Sequence, residues 1–339
     1  IYEIDSSVIL PEKVFEASGH LKGFVHPITQ CEKCKSLFRA DPLVADVLLV
    51  HADGLSPEEL TDLIREKNLK CPKCKGKLSD VRIFNLMLKT SIGPTGDNIA
   101  YLRPETAQGI FLDFARIVKA FHPKLPFGIA QIGLSFRNEI SPRQFLLRLR
   151  SFTQMEIEYF VHPDKLNEHP KFNEVKNVKL RILTREAQKE NGKEIVITAS
   201  EAVEKGVVPN KVMAYFLAKE MIFFQSLGIP FEALRFRHML PEETPHYSKG
   251  NFDLEIKFDF GWKEVVGNAY RTDFDLKTHM IYSGKDLSIV EDGKKIIPHV
   301  IEPSFGLDRT LYAILLYSFV EDEKRGWDWF KFPPKISPY

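Results

Sequence analysis

The sequence predicts an α+β fold: a mainly antiparallel sheet flanked by helices and interrupted by a small metal-binding insertion. Three observations carry that prediction. Strand-like segments follow one another without the regular strand–helix alternation of a doubly wound parallel sheet. Two long segments, 106–121 and 210–228, show apolar residues at helical spacing. All four cysteines fall into two CxxC pairs, Cys31 with Cys34 and Cys71 with Cys74.

The cysteine pairs come first along the chain. Each tight turn offers two sulfurs, and two turns offer a tetrahedral ion its full set of ligands. Zinc is the favoured ion, with an iron–sulfur centre or a redox pair as the alternatives. Four protein ligands leave no open position for water, so the site is read as structural rather than catalytic. The residues between the pairs read as a small insert with a helix near 56–67.

From 81 to 160 the elements alternate. VRIFNLML precedes a Gly/Pro turn, SIGPTGDN, and a helix follows in which Ile110, Phe111, Phe114, Ile117, Val118 and Phe121 form one face behind Thr106 as N-cap. A strand spans GIAQIGLSFRNE, with Ala130, Ile132, Leu134 and Phe136 on one side and Gln131, Ser135, Arg137 and Glu139 on the other. The strand FTQMEIEYF sets Met155, Ile157 and Tyr159 against Phe152, Gln154, Glu156 and Glu158. The connection between these strands is rich in arginine: Arg143, Arg148 and Arg150.

Residues 161–210 are richer in Lys, Glu and Asn, a helix follows at 210–228, and 161–240 as a whole is read as an inserted, helical subdomain. Beyond them FRHMLPEETPHYSKG is turn-rich, FDLEIKFDFG and WKEVVGNAYR read as strands, and Asp292-Gly293 marks a hairpin turn. The last helix, GLDRTLYAILLYSF, is expected to be buried and carries Asp308 and Arg309 in its first turn.

Composition limits what the protein does. The 339 residues are enough for one large or two ordinary domains, and 44% hydrophobic with 12% aromatic residues argues against disorder. The longest apolar run, at 311–320, is half of what a bilayer crossing needs, and no signal sequence opens the chain, so the reading is cytoplasmic with no membrane association. Lys plus Arg number 47 against 46 acidic residues, so a nucleic-acid partner has to be held by local basic surface rather than by net charge.

The polar strand faces put charge in the middle of the sheet: Arg137, Glu139, Glu156, Glu302 and Ser304, followed by Arg309 on the helix. Burying any of these charges alone costs several kcal/mol, roughly, so they pair with one another or with a ligand. A structural ion-pair network is one reading. The other is a site for a polyphosphate nucleotide beside a small cationic group, because guanidinium matches phosphate and clustered carboxylates match ammonium.

These residues carry a resemblance. FRNE, followed by R-x-x-x-F-x-x-x-E at Arg148, Phe152 and Glu156, is similar to motif 2 of the class II aminoacyl-tRNA synthetases, and IEPSFGLDR is similar to their motif 3. RPETAQGIF at 103–111, FRNEISPR at 136–143 and EVVGNAYRTDFDL at 264–276 resemble the glycyl-tRNA synthetases of the dimeric archaeal/eukaryotic-like type. The resemblance implies the class II catalytic fold, with core at 1–30, a zinc-binding insertion at 31–80, core with motif 2 at 81–160, the inserted subdomain at 161–240 and core with motif 3 at 241–339. It also implies that motif 1 and an anticodon-binding domain lie outside this chain, and that the intact protein is a homodimer.

The implied activity is ATP-dependent formation of glycyl-adenylate and glycyl transfer to the 3′ end of tRNA(Gly), with Mg²⁺ and a structural Zn²⁺. By the same resemblance Arg137 contacts the α-phosphate and the glycine carboxylate, and Glu139 the adenine amino group. Phe152 stacks on adenine, Arg309 covers its other face and reaches the γ-phosphate, and Arg148 serves the phosphates. Arg137 and Arg309 are thus the catalytic pair. Glu264 holds Mg²⁺. Glu156, Glu302 and Ser304 hold the glycine amine, Arg271 its carboxylate, and Glu105 lies beside the pocket. The implied zinc ligands are Cys31, Cys34, Cys71 and Cys74. Two other readings compete: a non-catalytic, synthetase-like nucleic-acid-binding accessory protein, and a zinc-ribbon RNA-binding module. The presence of Arg137, Glu139, Phe152 and Arg309 argues against the first. The motif spacing argues against the second.

Overall fold

Short β-branched and aromatic runs spread along the chain pair into one sheet, and the two cysteine turns organise a separate core. The computed structural model describes residues 1–337 except 51, 53, 141, 143, 144, 191, 242 and 245–247. Arg143 and part of the turn-rich 236–250 segment therefore lie outside the described residues. Two compact units emerge: Ile1–Ser7 with Glu105–Ser135 and Phe152–Tyr339, and Val8–Pro104 with Phe136–Ser151.

In the first unit the described residues build a nine-stranded sheet. Its strands are β1 (Tyr2–Glu3), β2 (Phe127–Phe136), β3 (Ser151–Val161), β4 (Lys179–Leu183), β5 (Ile195–Thr198), β6 (Leu234–His238), β7 (Asn251–Phe258), β8 (Gly261–Thr272) and β9 (His299–Gly306). They lie in the order β1-β2-β3-β9-β8-β7-β6-β4-β5. Ladders β3–β9, β9–β8, β8–β7, β7–β6 and β4–β5 are antiparallel, while β1–β2 and β6–β4 are parallel. The sheet is mixed and largely antiparallel, as the sequence predicts.

Four helices matter for the site: α1 (Ala107–Phe121), α2 (Lys211–Ser226), α3 (Phe274–Ser283) and α4 (Leu307–Ser318). The apolar face of α1 sets Ile110, Phe111 and Phe114 against Phe127, Phe160 and Val300 of the sheet and Leu276 of α3. On the opposite side Phe223 and Phe224 of α2 meet Phe305 of β9, and Phe216 meets Tyr159 of β3. Asn210 caps α2 by accepting from the Met213 N–H at 2.8 Å.

Several expectations change. Residues 161–240 do not form a separate helical insertion, because β4, β5 and β6 join the main sheet. Their runs, KLRIL, IVIT and LRFRH, are short and flanked by charge, which masked their alternation. The strand expected at 128–139 ends at Phe136, so Arg137 and Glu139 lie beyond it. Alternation on β2 holds, with the polar face inward: Gln131 and Ser135 are buried while Ile132 and Leu134 are 54% and 46% exposed. Gln131 is satisfied there by the Ser6 hydroxyl and by Asp5. Helix α4 is half-buried rather than buried, with Leu311 48% exposed. The Asp292-Gly293 turn joins Ile289–Glu291 to Lys294–Ile296, with φ of 50° and 75° at its two central residues.

In the second unit two three-stranded sheets form, Ile9–Pro11 with Asn98–Leu102 and Leu88–Ile92, and Leu37–Arg39 with Val25–Gln30 and Arg82–Asn85. The helix expected near 56–67 spans Pro57–Glu66 and opens on a Ser56–Glu59 capping box. Its Leu60 and Ile64 pack with Ala40, Val44, Cys31 and Cys71 in a core of their own.

Candidate active site and metal centre

Strand alternation builds the polar face of the first unit. Gln154, Glu156, Glu158 and Phe160 share one face of β3 and are all buried. Register sets Ser304 opposite Glu156 and Val300 opposite Phe160, which brings Glu302 opposite Glu158. Along this face the apolar packing of Phe160 and Val300 gives way to carboxylates.

Arg271, near the end of β8, reaches into those carboxylates with no solvent exposure. Its Nη1 donates to Glu302 Oε2 at 2.6 Å, its Nε to Asp275 Oδ2 at 2.8 Å, and its Nη2 to Asp275 Oδ1 at 3.1 Å and Glu105 Oε1 at 3.3 Å. The Phe111 ring lies 5.5 Å from its guanidinium carbon. Gln108 Nε2 donates to Glu105 and Asp275, each at 3.1 Å, and Gln108 Oε1 is 2.8 Å from His279 Nε2. Thr106 stands at the start of α1 without capping it, because its hydroxyl donates to Glu156 instead. Gln154 Nε2 donates to Ser304 Oγ at 3.2 Å.

The carboxyl groups of Glu105, Glu156, Glu158, Asp275 and Glu302 outnumber this guanidinium. Burial pushes Glu302 well above the usual carboxylate range; Arg271 pulls it down, and Glu156 raises it through charge and a shared hydrogen bond. Burial does the same to Glu158, followed by the Glu302 charge. Carboxyls held up by burial and mutual repulsion form a receptor for a compact cation.

The sequence candidates Phe152, Glu264 and Arg309 also lie in this unit. Phe152 is half-buried at the start of β3, and the next residue, Thr153, donates its N–H to Asp308 Oδ2 at 2.7 Å. Arg309 Nη1 donates to the Glu264 carbonyl at 2.7 Å and to Glu264 Oε2 at 3.1 Å. A Cβ on Gly267 would sit 3.6 Å from Glu264 Oε1 and 4.0 Å from Asp253 Oδ1, so both carboxylates flank that glycine. Burial and then the Glu264 charge push Asp253 well above its usual range. Facing carboxylates that repel in this way fit a hard divalent cation.

The second unit holds Arg137, Glu139 and Arg148. Arg137 Nε donates to the Pro104 carbonyl at 3.3 Å, and its guanidinium stacks 5.3 Å from the centre of the Phe24 ring. Its backbone N–H is held by the Arg150 carbonyl at 2.9 Å. Arg148 lies 3.8 Å from Glu139, and Arg150 Nε donates to the Glu139 carbonyl at 3.1 Å. Burial, followed by the charge of Arg39 with smaller contributions from Arg148 and Arg137, holds His26 down to about 4 against the opposing pull of Asp41. Burial is the larger cause; the lesser part that Arg39, Arg148 and Arg137 supply reflects local positive charge, the kind that attracts phosphate.

The four cysteines converge as the spacing predicts. Their Sγ atoms all lie within 4.8 Å of one another, with Cys31–Cys74 at 3.4 Å and Cys34–Cys71 at 3.6 Å. Tetrahedral zinc with sulfur ligands at roughly 2.3 Å needs sulfurs about 3.8 Å apart, so the set fits. Both knuckles have the same backbone. Lys35 and Lys75 adopt φ of 57° and 59°, and their N–H groups return to the Cys31 and Cys71 carbonyls at 3.0 and 2.9 Å. Gly76 is required by space: a Cβ there would lie 2.8 Å from Lys33 Cβ and 3.0 Å from Cys31 Sγ.

Residues 94–317 match the tRNA synthetase class II core domain (G, H, P, S and T). A glycine–tRNA ligase of Thermococcus gammatolerans is 42% identical, over 96% of this chain and 70% of its own length. The chain belongs to the archaeal-type glycine–tRNA ligase family. A second member, from Methanocaldococcus jannaschii, is 39% identical over 99% of this chain and 73% of its own length. The fold agrees with two solved prolyl-tRNA synthetases. That of Giardia lamblia, in complex with prolyl-adenylate, has a TM-score of 0.51 at 13% identity, covering 93% of this chain and 42% of that one. That of Cryptosporidium parvum, with halofuginone and AMPPNP, has a TM-score of 0.52 at 12% identity, covering 100% and 45%. Among the described residues of this glycine–tRNA ligase family member, no helix is long and apolar enough to cross a membrane.

Sequence reasoning did not select Glu158, Asp275, Thr106, Gln108 or Asp253. Glu158 and Asp253 were visible as polar positions on alternating strands. The other three became recognisable only through their partners.

Proposed function

We propose that the chain activates glycine with ATP to form glycyl-adenylate and transfers the glycyl group to the 3′ end of tRNA(Gly). The observation that carries this reading is the buried cluster of Glu156, Glu302, Glu105 and Asp275 around Arg271, which needs a small cation with no bulk attached. The glycine ammonium meets that need. A larger amino acid has to push charged groups away from their partners, which is how such a pocket selects the smallest one.

Glu156, Glu302 and Ser304 take the ammonium, and Glu105 closes the pocket. Arg271, whose guanidinium is engaged by Glu302, Asp275 and Glu105, orients those carboxylates and, as the resemblance implies, takes the glycine carboxylate. Arg137 takes the α-phosphate together with the glycine carboxylate, Glu139 the adenine amino group, and Arg148 the outer phosphates. Phe152 stacks on adenine, and Arg309, steered by Glu264, covers the other face. The carboxylate attacks the α-phosphorus in line, and the terminal ribose hydroxyl of tRNA then attacks the adenylate. Both steps need positioning and charge stabilisation and no enzyme nucleophile. Glu264 with Asp253 holds Mg²⁺, which when bound neutralises charge on the phosphates. Cys31, Cys34, Cys71 and Cys74 hold structural Zn²⁺ within the 31–80 insertion.

The exposed Ile132 and Leu134 of β2 support a homodimer, and the reaction class supports a cytoplasmic location. The deciding experiment is ATP–pyrophosphate exchange with each amino acid in turn. Exchange with glycine and with no other amino acid is expected; exchange that ignores glycine would refute the reading.

A further inference from the structure

Glu158 is unlike its neighbours in the carboxylate cluster. It has no solvent exposure, and among the described residues neither of its carboxyl oxygens has a hydrogen-bond partner. It nonetheless points at the substrate pocket: one oxygen each of Glu156, Glu158 and Glu302 lie within 4.8 Å of one another. Glu302 has Arg271 at 2.6 Å, and Glu156 has the Thr106 hydroxyl. Among the described residues no such donor serves Glu158.

The charged groups facing Glu158 come from every element around it. Glu156 shares its strand, Glu302 stands opposite on β9, Arg271 reaches in from β8, and Asp275 comes from α3. Glu105 and Asp275 share Arg271 with Glu302, which spreads its charge over three carboxylates. His279 is held below its ordinary range by burial, so it adds no charge. An ionised Glu158 in this setting is both desolvated and repelled. The cheaper state of the empty pocket is the carboxylic acid.

We infer that Glu158 is the proton-exchanging carboxyl of the glycine pocket: it holds a proton while the pocket is empty and releases it to solvent when the substrate ammonium enters beside Glu156 and Glu302. The inference rests on reading the cluster as the glycine site. The balance is simple. Neutral Glu158 plus the glycine zwitterion gives ionised Glu158 with bound glycine, and one proton leaves to bulk water. The arriving ammonium supplies the positive charge that the empty pocket lacks, so the pocket's charge stays nearly constant through binding. Glu158 is a positioning residue, acting on the ammonium through the shared electrostatics of the cluster.

Calorimetric titration of glycine into the full chain, repeated in buffers of different ionisation enthalpy at pH 7, counts the protons. The wild type is expected to release about one proton per glycine bound, and its glycine Kd to fall about tenfold per pH unit on the acid side of the empty-pocket titration. Glu158→Gln, close in shape to the protonated acid, should bind glycine with almost no release and a flat pH profile. Infrared difference spectra give an independent reading: a protonated-carboxyl band lost on glycine addition in the wild type and missing from both states of Glu158→Gln. Unchanged proton release in Glu158→Gln, or wild-type binding with no release, would overturn the role of Glu158 alone. Absence of any glycine binding by the wild type would overturn the substrate reading and this inference with it.

Discussion

Arg271 and Glu302 form a buried ion pair, 2.6 Å from Nη1 to Oε2, in which the guanidinium has no exposure to solvent. Such a pair adds little net stability, since desolvating both ions offsets their attraction. What it does is fix geometry. Because Asp275 and Glu105 share the same guanidinium, the three carboxylates are held in one arrangement before any ligand arrives.

Removing that guanidinium leaves three carboxylates buried without their counter-ion. Arg271→Ala is therefore expected to cost roughly 3–5 kcal/mol of stability, read from the urea midpoint, and to abolish glycine-dependent exchange. Arg271→Lys should recover only part of the stability, because one ammonium does not bridge three carboxylates with fixed fork geometry. A midpoint unchanged by Arg271→Ala would mean the cluster is protonated or hydrated enough to do without it.

Arg137 is expected to matter for rate and little for folding. It lies beyond the end of β2, in the connection to β3, stacked on Phe24. Arg137→Ala should lower glycine-dependent exchange by about 10²-fold or more, the usual cost of losing one charge-stabilising donor, with the urea midpoint nearly unmoved. Near-wild-type exchange in this variant would remove Arg137 from the phosphate site.

Much of this site was legible in the sequence because strands write their faces plainly. Glu156 and Glu158 alternate with Met155, Ile157 and Tyr159, and Glu302 and Ser304 stand two apart, so the polar face followed from a period of two. The cysteine pairs were equally plain, since CxxC spacing is itself the geometry. What could not be read was contact across the chain. Asp275 lies four residues after Arg271 and nothing in the local sequence pattern singles it out, yet it is the second carboxylate on that guanidinium. Residues 161–240 misled for a different reason. Their abundance of Lys and Glu hid Leu180, Ile182, Leu234 and Phe236, each fully buried in strands of the main sheet.

Zinc retention should depend on Gly76. Adding one methyl group there brings a carbon to 2.8 Å from Lys33 Cβ and 3.0 Å from Cys31 Sγ, distances at which something must move. Protein purified without chelator is expected to contain about one zinc per chain, the stoichiometry of a closed four-sulfur site. Gly76→Ala should lose it at lower chelator concentrations, followed by metal release to a chromogenic dye. Metal-free wild-type protein would exclude the structural zinc, and equal retention would mean the Lys33 turn gives way at no cost to the site.

The pH dependence of stability should carry the signature of Glu220. This residue is buried on α2 and accepts from Asn268 Nδ2 at 3.0 Å, while its other oxygen has no partner among the described residues. Burial pushes its carboxyl up to about 8, with the Asn268 hydrogen bond pulling the other way. In the unfolded chain the same group titrates near 4.3, roughly. Between those values the folded state binds more protons than the unfolded state, so the contribution of Glu220 is fully present below the unfolded value and is lost as pH rises towards the folded one. The slope approaches about 1.4 kcal/mol per pH unit. Glu220→Gln keeps the shape and removes the titration. Its stability relative to wild type, from urea midpoints between pH 5 and pH 8.5, should be near zero at the acid end and favour the variant by a few kcal/mol, roughly, at the basic end. A difference that stays flat across that range would show that Glu220 is ionised in the folded state, with its charge met by ordered water.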